Sequence, residues 1–173
     1  MKYREMTLWI LLLAATDQLI KIIIYRYFFD VQFAIIPPVF YFEPVFNYLH
    51  TYAANLLQIN AGQWPNIILK AAVLLVVLLG TDYVRWIANY KLLDWGLLFI
   101  ISGCVCSLTD TVFWNKCLDY IYLKPLFVFD LKDLYLNIGA VLFVLSLYKN
   151  REELKSVKKF PEYIKWRFKK VES

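Results

Sequence analysis

Histidine is almost absent from this 173-residue chain, which holds only His50. Cysteine is scarce and odd in number, with Cys104, Cys106 and Cys117. One histidine and three cysteines at these spacings cannot supply an ordinary Cys/His zinc site. The odd count, with two of the three inside an apolar run, excludes a disulfide framework. They read as small packing residues. The five glycines form no phosphate-cradling loop. Neither an internal repeat nor a low-complexity linker divides the chain. Charged residues make up 19% of it, below the roughly 25% of soluble globular domains.

Apolar residues fill the gap, at 61% hydrophobic and 18% aromatic. They gather in four long blocks, the pattern of a polytopic membrane protein. We read an all-α membrane protein with four transmembrane helices, a small β-rich or irregular extracytoplasmic cap, and a basic amphipathic C-terminal helix. The spans are expected at about residues 7–29, 65–80, 95–113 and 131–148, with the cap at 30–64. Residues 1–148 make the membrane domain and 149–173 a basic cytoplasmic tail. A span needs about 20 apolar residues at ~1.5 Å each to cross a ~30 Å core. The first block is too long for a cleaved signal peptide and ends without a small-x-small site.

The net charge of +5 does not call for nucleic acid, because the basic residues sit at span ends and in the tail. Of the 19 Lys and Arg, 13 fall in segments that four spans with both termini inside make cytoplasmic, as the positive-inside rule requires. The tail carries Lys155, Lys158, Lys159, Lys165, Arg167, Lys169 and Lys170 among Tyr163, Trp166 and Phe168. That suits a helix lying on an anionic leaflet of bilayer lipid.

Within the spans, polar residues are few and therefore informative. Asp17 and Lys21 lie four apart on one helical face, either as a structural ion pair or as support for a polar site. Lys70, near the outer end of the second span, is expected to snorkel. Gly96, Ser102, Gly103 and Ser107 suit close helix packing. No Lys follows on the same helix to make a serine–lysine pair of Ser102 or Ser107. Pro37, Pro38 and the aromatics after them predict strand or irregular structure in the cap. Residues 114–129 read as an external loop. His50 reads as an interfacial polar residue.

Asp110 closes the third span and Asp133 opens the fourth, so the topology puts both at one depth on the outer face. Two carboxylates in a partly dry site share a proton and can activate water for attack on a carbonyl. Ordinary interface charges would look the same. The runner-up readings are a protein that only binds, and an ion or proton carrier using Asp17, Lys21 and the pair. The carrier is weakened because no polar path enters the inner half of the spans.

The ordered motifs weigh on this choice. Thr16-Asp17-Gln18-Leu19-Ile20-Lys21 matches the Asp-Gln-x-x-Lys motif of the lipoprotein signal peptidases (signal peptidase II), and the chain resembles that family up to Tyr148. Val45-Phe46-Asn47 with Tyr52 is similar to the family's Asn-x-Gly-Ala-Ala-Phe. Gly103 to Asp110 resembles Gly-x-x-x-Asn-x-x-Asp-Arg, Leu118-Asp119-Tyr120-Ile121 resembles Val-Asp-Phe-Ile, and Phe129-Asp130-Leu131-Lys132-Asp133 stands where the family has Phe-Asn-x-Ala-Asp. The chain departs from the pattern at Ser107 for Asn, Thr111 for Arg, Asp130 for Asn and Lys132 for a small residue, so it reads as a divergent member.

The resemblance implies an aspartic endopeptidase with Asp110 and Asp133 as its catalytic pair. Asp17, Lys21, Asn47, Ser107, Thr111, Asp119 and Asp130 would support the site or contact substrate, with Lys132 offsetting Asp130. Its substrates would be membrane-anchored prolipoproteins, cut before a diacylglyceryl-modified cysteine in a bacterial cytoplasmic membrane. No metal or organic cofactor is implied, and a monomer is expected. A catalytically inactive homologue that binds lipidated peptides is the alternative.

Overall fold

The first helix, α1 (Tyr3–Ile23), contains no Pro or Gly and runs into a π-helical turn at Ile24–Phe28. At its start the Lys2 backbone N–H donates to the Glu5 carboxylate over 3.1 Å, capping one orphan amide. This computed structural model describes residues 1–47, 62–87, 90–151 and Tyr163. His50, Tyr52 and the tail from residue 152, where a helix is expected, lie outside the described residues, Tyr163 apart.

Three further long helices follow: α2 (Gln63–Ile87), α3 (Lys91–Phe113) and α4 (Leu131–Lys149). All four are long and apolar enough to cross a membrane, and the chain is a multi-pass membrane protein. Pro65 lies in the first turn of α2, where its missing N–H costs nothing. The helix does not stop at Gly80 but runs two turns further. A mid-helix glycine costs about 1 kcal/mol, and local anchors offset it. Thr81 Oγ1 donates to the Val77 carbonyl over 2.8 Å, and Tyr3 Oη donates to Asp82 over 2.7 Å. Arg85 Nε reaches Asp94 at 2.9 Å. Asp94 in turn sits in the first turn of α3, where the helix dipole favours a carboxylate.

Helix α3 is the central one. Half of its most apolar window is buried, against 11–22% in the other three helices. Its N-terminal half packs Leu93, Leu97, Leu98 and Ile101 around Met6 of α1. It meets α4 at backbone distance because glycines line the seam. A Cβ added to Gly139 would stand 2.7 Å from Ile100 N, and one on Gly96 would stand 2.8 Å from Phe143 N. We expect Gly139→Val to lower stability by about 1–3 kcal/mol, read as a drop in thermal unfolding midpoint in detergent. Unchanged stability would mean that the two helices do not touch there.

Outside the helices lies a four-stranded antiparallel sheet in the order β1 (Phe33–Ile36), β2 (Phe40–Asn47), β3 (Cys117–Leu123), β4 (Phe127–Phe129). The segment expected as an external loop at 114–129 therefore supplies two strands. Phe40 faces Leu123 and Asn47 faces Cys117, with a register shift between Phe42 and Val45. Pro44 falls at that irregularity, where a residue without an N–H breaks no regular ladder bond. Asn115 turns α3 into β3 with φ +53°, a conformation asparagine tolerates better than most. Ile24, Leu118 and Tyr120 form a second core under the sheet, flanked by Phe29, Phe42 and Phe46. The sheet hangs from the ends of α1, α3 and α4, and so fixes where Asp119 and Asp130 enter the structure.

Candidate active site

Seven charged side chains converge where α1, the end of α3, β3 and the start of α4 meet. The i,i+4 spacing sets Asp17 and Lys21 on one face of α1, and both are fully buried. Lys21 Nζ touches three carboxylates: Asp17 at 2.9 Å, Asp110 at 2.6 Å and Asp130 at 2.7 Å. A second ammonium completes the cluster. Lys132 contacts Asp130, with Asp119 at 3.3 Å and Asp110 at 3.5 Å. The pattern is close to an alternating lattice of charge, in which each buried ion has partners of the opposite sign.

Gln18 ties the network to the C-terminal end of α3. Its Nε2 donates to Asp110 Oδ1 over 2.8 Å and to Asp17 over 3.1 Å, while Trp114 Nε1 donates to its Oε1 over 3.1 Å. Asp110 is thus fully buried and meets Lys21, Lys132 and Gln18. Asp17 Oδ1, by contrast, has no hydrogen-bond partner among the described residues.

Asp130 caps α4. Its Oδ1 accepts from the Asp133 N–H over 3.2 Å, and the Asp130 N–H donates back to Asp133 Oδ2 over 3.3 Å. This capping box fixes the Asp133 side chain beside the cluster but outside its lysine contacts. Asp133 is only partly buried, and Asp110 and Asp133 make no hydrogen bond to each other among the described residues. Lys132 stands in the chain of contacts that joins them.

The remaining expected residues fall around this centre. Asn47 Nδ2 donates to Asp119 across 3.4 Å at the end of β2. Ser107 contributes its backbone carbonyl and Thr111 its hydroxyl, each accepting from Lys70 of α2, at 3.2 and 2.6 Å. Lys70 does not snorkel. It is buried to 8% exposure and turned inward. Gln18, Lys70 and the full reach of Lys132 are the site residues that sequence reasoning passed over. For Lys70 the available signal was an ionisable residue inside a span, a functional candidate by default.

Asp119, Asp130 and Asp133 bring carboxylate oxygens within 4.8 Å of one another. The Lys132 ammonium already supplies cationic charge to Asp119 and Asp130. None of the three cysteines is in a disulfide, and burial pushes the Cys117 thiol up to about 11. A thiol held so far above neutrality is a poor nucleophile, in keeping with its packing role.

Burial raises the Asp119 carboxyl above its ordinary value, against the pull of Lys132. Burial acts the same way on Asp130, but there Lys132 and Lys21 outweigh it and hold the carboxyl below 3.8. A lowered native value means that Asp130 stabilises the fold above that ordinary value and ceases to do so as pH falls through the native one. Acid unfolding followed from pH 6 to pH 2 is therefore expected to be less steep in Asp130→Asn than in wild type. Parallel curves would refute the assignment.

Comparison with known proteins bears on the fold and the family. No curated protein sequence matches the chain. Solved structures do, among them two of a bacterial membrane enzyme determined by the in meso method. The first is 18% identical, with TM-score 0.69 over 91% of this chain and 95% of that one. The second is also 18% identical, with TM-score 0.68 over 86% and 95%. At that identity the likeness establishes the fold. Residues 9–149 match the family described as signal peptidase (SPase) II, and the chain belongs to that family.

Proposed function

We propose that this protein is an active lipoprotein signal peptidase that hydrolyses the peptide bond before a diacylglyceryl-modified cysteine, using Asp110 and Asp133. The observation that carries this reading is the difference in setting between the two aspartates. Lys21, Lys132 and Gln18 all donate toward Asp110, so Asp110 carries the negative charge of the pair. Asp133 is more exposed and outside the lysine contacts, so it carries the shared proton and faces substrate.

In the reaction Asp110 takes a proton from the attacking water as its oxygen bonds to the scissile carbonyl carbon. Asp133 gives its proton to the carbonyl oxygen. Collapse of the tetrahedral intermediate breaks the C–N bond. The leaving amine takes the proton held on Asp110, and Asp133 recovers its own from the hydroxyl. The released signal peptide carries the new carboxyl group. The pair lies at the outer ends of α3 and α4, with both termini cytoplasmic, which fits a lipid-anchored substrate whose scissile bond rests at the interface. Asn47 contacts the substrate backbone and Asp17 supports the site from the inner side. The protein works as a monomer without a metal.

A second reading has its own observation. Lys132 stands between the carboxylates, and Asp110 is fully buried, as would suit an inactive homologue that binds lipidated peptides. Rates on paired precursors separate the two. We expect cleavage of a diacylglyceryl-modified precursor and none of the same precursor without lipid. Equal rates on both would refute the substrate assignment, and saturable binding without cleavage would favour the inactive homologue.

A further inference from the structure

Lys70 is a buried ammonium whose two hydrogen-bond partners are both neutral, the Thr111 hydroxyl and the Ser107 carbonyl. No carboxylate among the described residues lies within ion-pair distance of it. An isolated buried charge costs several kcal/mol, so its retention needs a compensating field. Asp110 precedes Thr111 on α3, and Asp17, Asp110, Asp119 and Asp130 outnumber Lys21 and Lys132, the two lysines bonded to them. Lys70 brings a third cation to the edge of that group, on the residue that follows Asp110.

Its hydrogen bonds also have a mechanical effect. Ser107 and Thr111 bracket the helical turn that carries Asp110, and Thr111 Oγ1 donates to the Ser107 carbonyl over 3.1 Å. Gln63, from the start of the same helix as Lys70, donates to the Thr111 carbonyl over 3.0 Å. Helix α2 therefore grips the last turn of α3 at Thr111 from two points. The signal peptidase II pattern that the sequence resembles has Arg where Thr111 stands. Here the cation comes from a neighbouring helix.

We infer that Lys70 is a positioning residue for the hydrolysis, which holds the Asp110 turn through Thr111 and supplies the positive charge that residue 111 itself lacks. This rests on the peptidase reading above. The hydrogen bonds of Lys70 go to Ser107 and Thr111, on the turn that carries Asp110, so its loss acts on kcat rather than on substrate binding.

The experiment measures kcat and KM on a diacylglyceryl-modified precursor for wild type, Lys70→Met and the swap Lys70→Ala/Thr111→Arg, with thermal unfolding in detergent as the folding control. Lys70→Met is expected to lower kcat by about 10–100-fold, the scale of a misplaced catalytic group, with KM within about twofold. The swap returns the cation from α3 and is expected to recover most of the loss. Folded Lys70→Met with wild-type kcat overturns the inference while leaving the peptidase reading intact. A folded swap variant below a tenth of wild-type kcat overturns it as well, and decides the matter if Lys70→Met does not fold. An inactive wild type overturns the peptidase reading and this inference with it.

Discussion

Asp110→Asn and Asp133→Asn are each expected to abolish cleavage of a lipid-modified precursor while the protein stays folded. Neither change removes bulk. In Asp133→Asn the side-chain amide oxygen can still accept the Asp130 N–H that Asp133 Oδ2 accepts now, so the cap of α4 survives. In Asp110→Asn, Lys21 keeps two carboxylates, Asp17 and Asp130, so the buried ammonium remains paired. What each variant loses is the ability to take up or release a proton at the reacting centre. Losing a general acid or base slows a reaction by about 10²–10⁴-fold. Product formation over a fixed time, with the unfolding midpoint as control, reads both effects. Full cleavage by either folded variant would show that the peptide bond is broken elsewhere.

The other large effect belongs to Lys21, and it falls on stability. Lys21→Met takes one cation from among Asp17, Asp110 and Asp130, all buried. Removing one partner of a buried ion pair costs about 3–5 kcal/mol, because the charge left behind cannot return to water. Here three carboxylates are left, with Lys132 near only Asp110 and Asp130. Little folded protein is expected in detergent, with loss of the sharp thermal transition. Asp17→Asn makes the useful contrast. One Asp17 oxygen already lacks a partner, so this change removes a poorly satisfied charge and leaves Lys21 with Asp110 and Asp130. Its cost should be well below that of Lys21→Met. Equal losses in the two variants would mean that Lys21 does not organise the cluster.

Much of this site was legible before the fold. Asp17 and Lys21 are four apart in an apolar run, and that spacing and the cost of charge in a membrane mark them together. Asp110 and Asp133 are marked by topology and by the motif order. The strands at 117–129 were less visible. Cys117-Leu118-Asp119-Tyr120-Ile121-Tyr122-Leu123 has the aromatic and apolar content of a strand, but its partner β2 lies some 70 residues earlier, between Val45 and Asp119 for example. No local pattern reports such a pairing. The length of α2 was hidden for a similar reason. Gly80 and Thr81 look like an end, and the contacts that carry the helix on come from Tyr3 and Asp94.

Lys132 and Lys70 show where sequence patterns stop. Lys132 was legible as a charge near Asp130. Its reach to Asp110 and Asp119 depends on how closely α3 meets α4 at Gly96, Gly103 and Gly139. Lys70 looked like an interfacial residue because its depth in the membrane could be read and the direction of its side chain could not. Both lie beside positions where the chain departs from the pattern of its relatives, Asp130 and Thr111.

The most direct test of the central claim is the mass of the product released when purified protein in a lipid bilayer meets a diacylglyceryl-modified precursor. The account predicts a mature chain beginning at the lipidated cysteine, together with a free signal peptide. An intact precursor, bound but uncut, would contradict it.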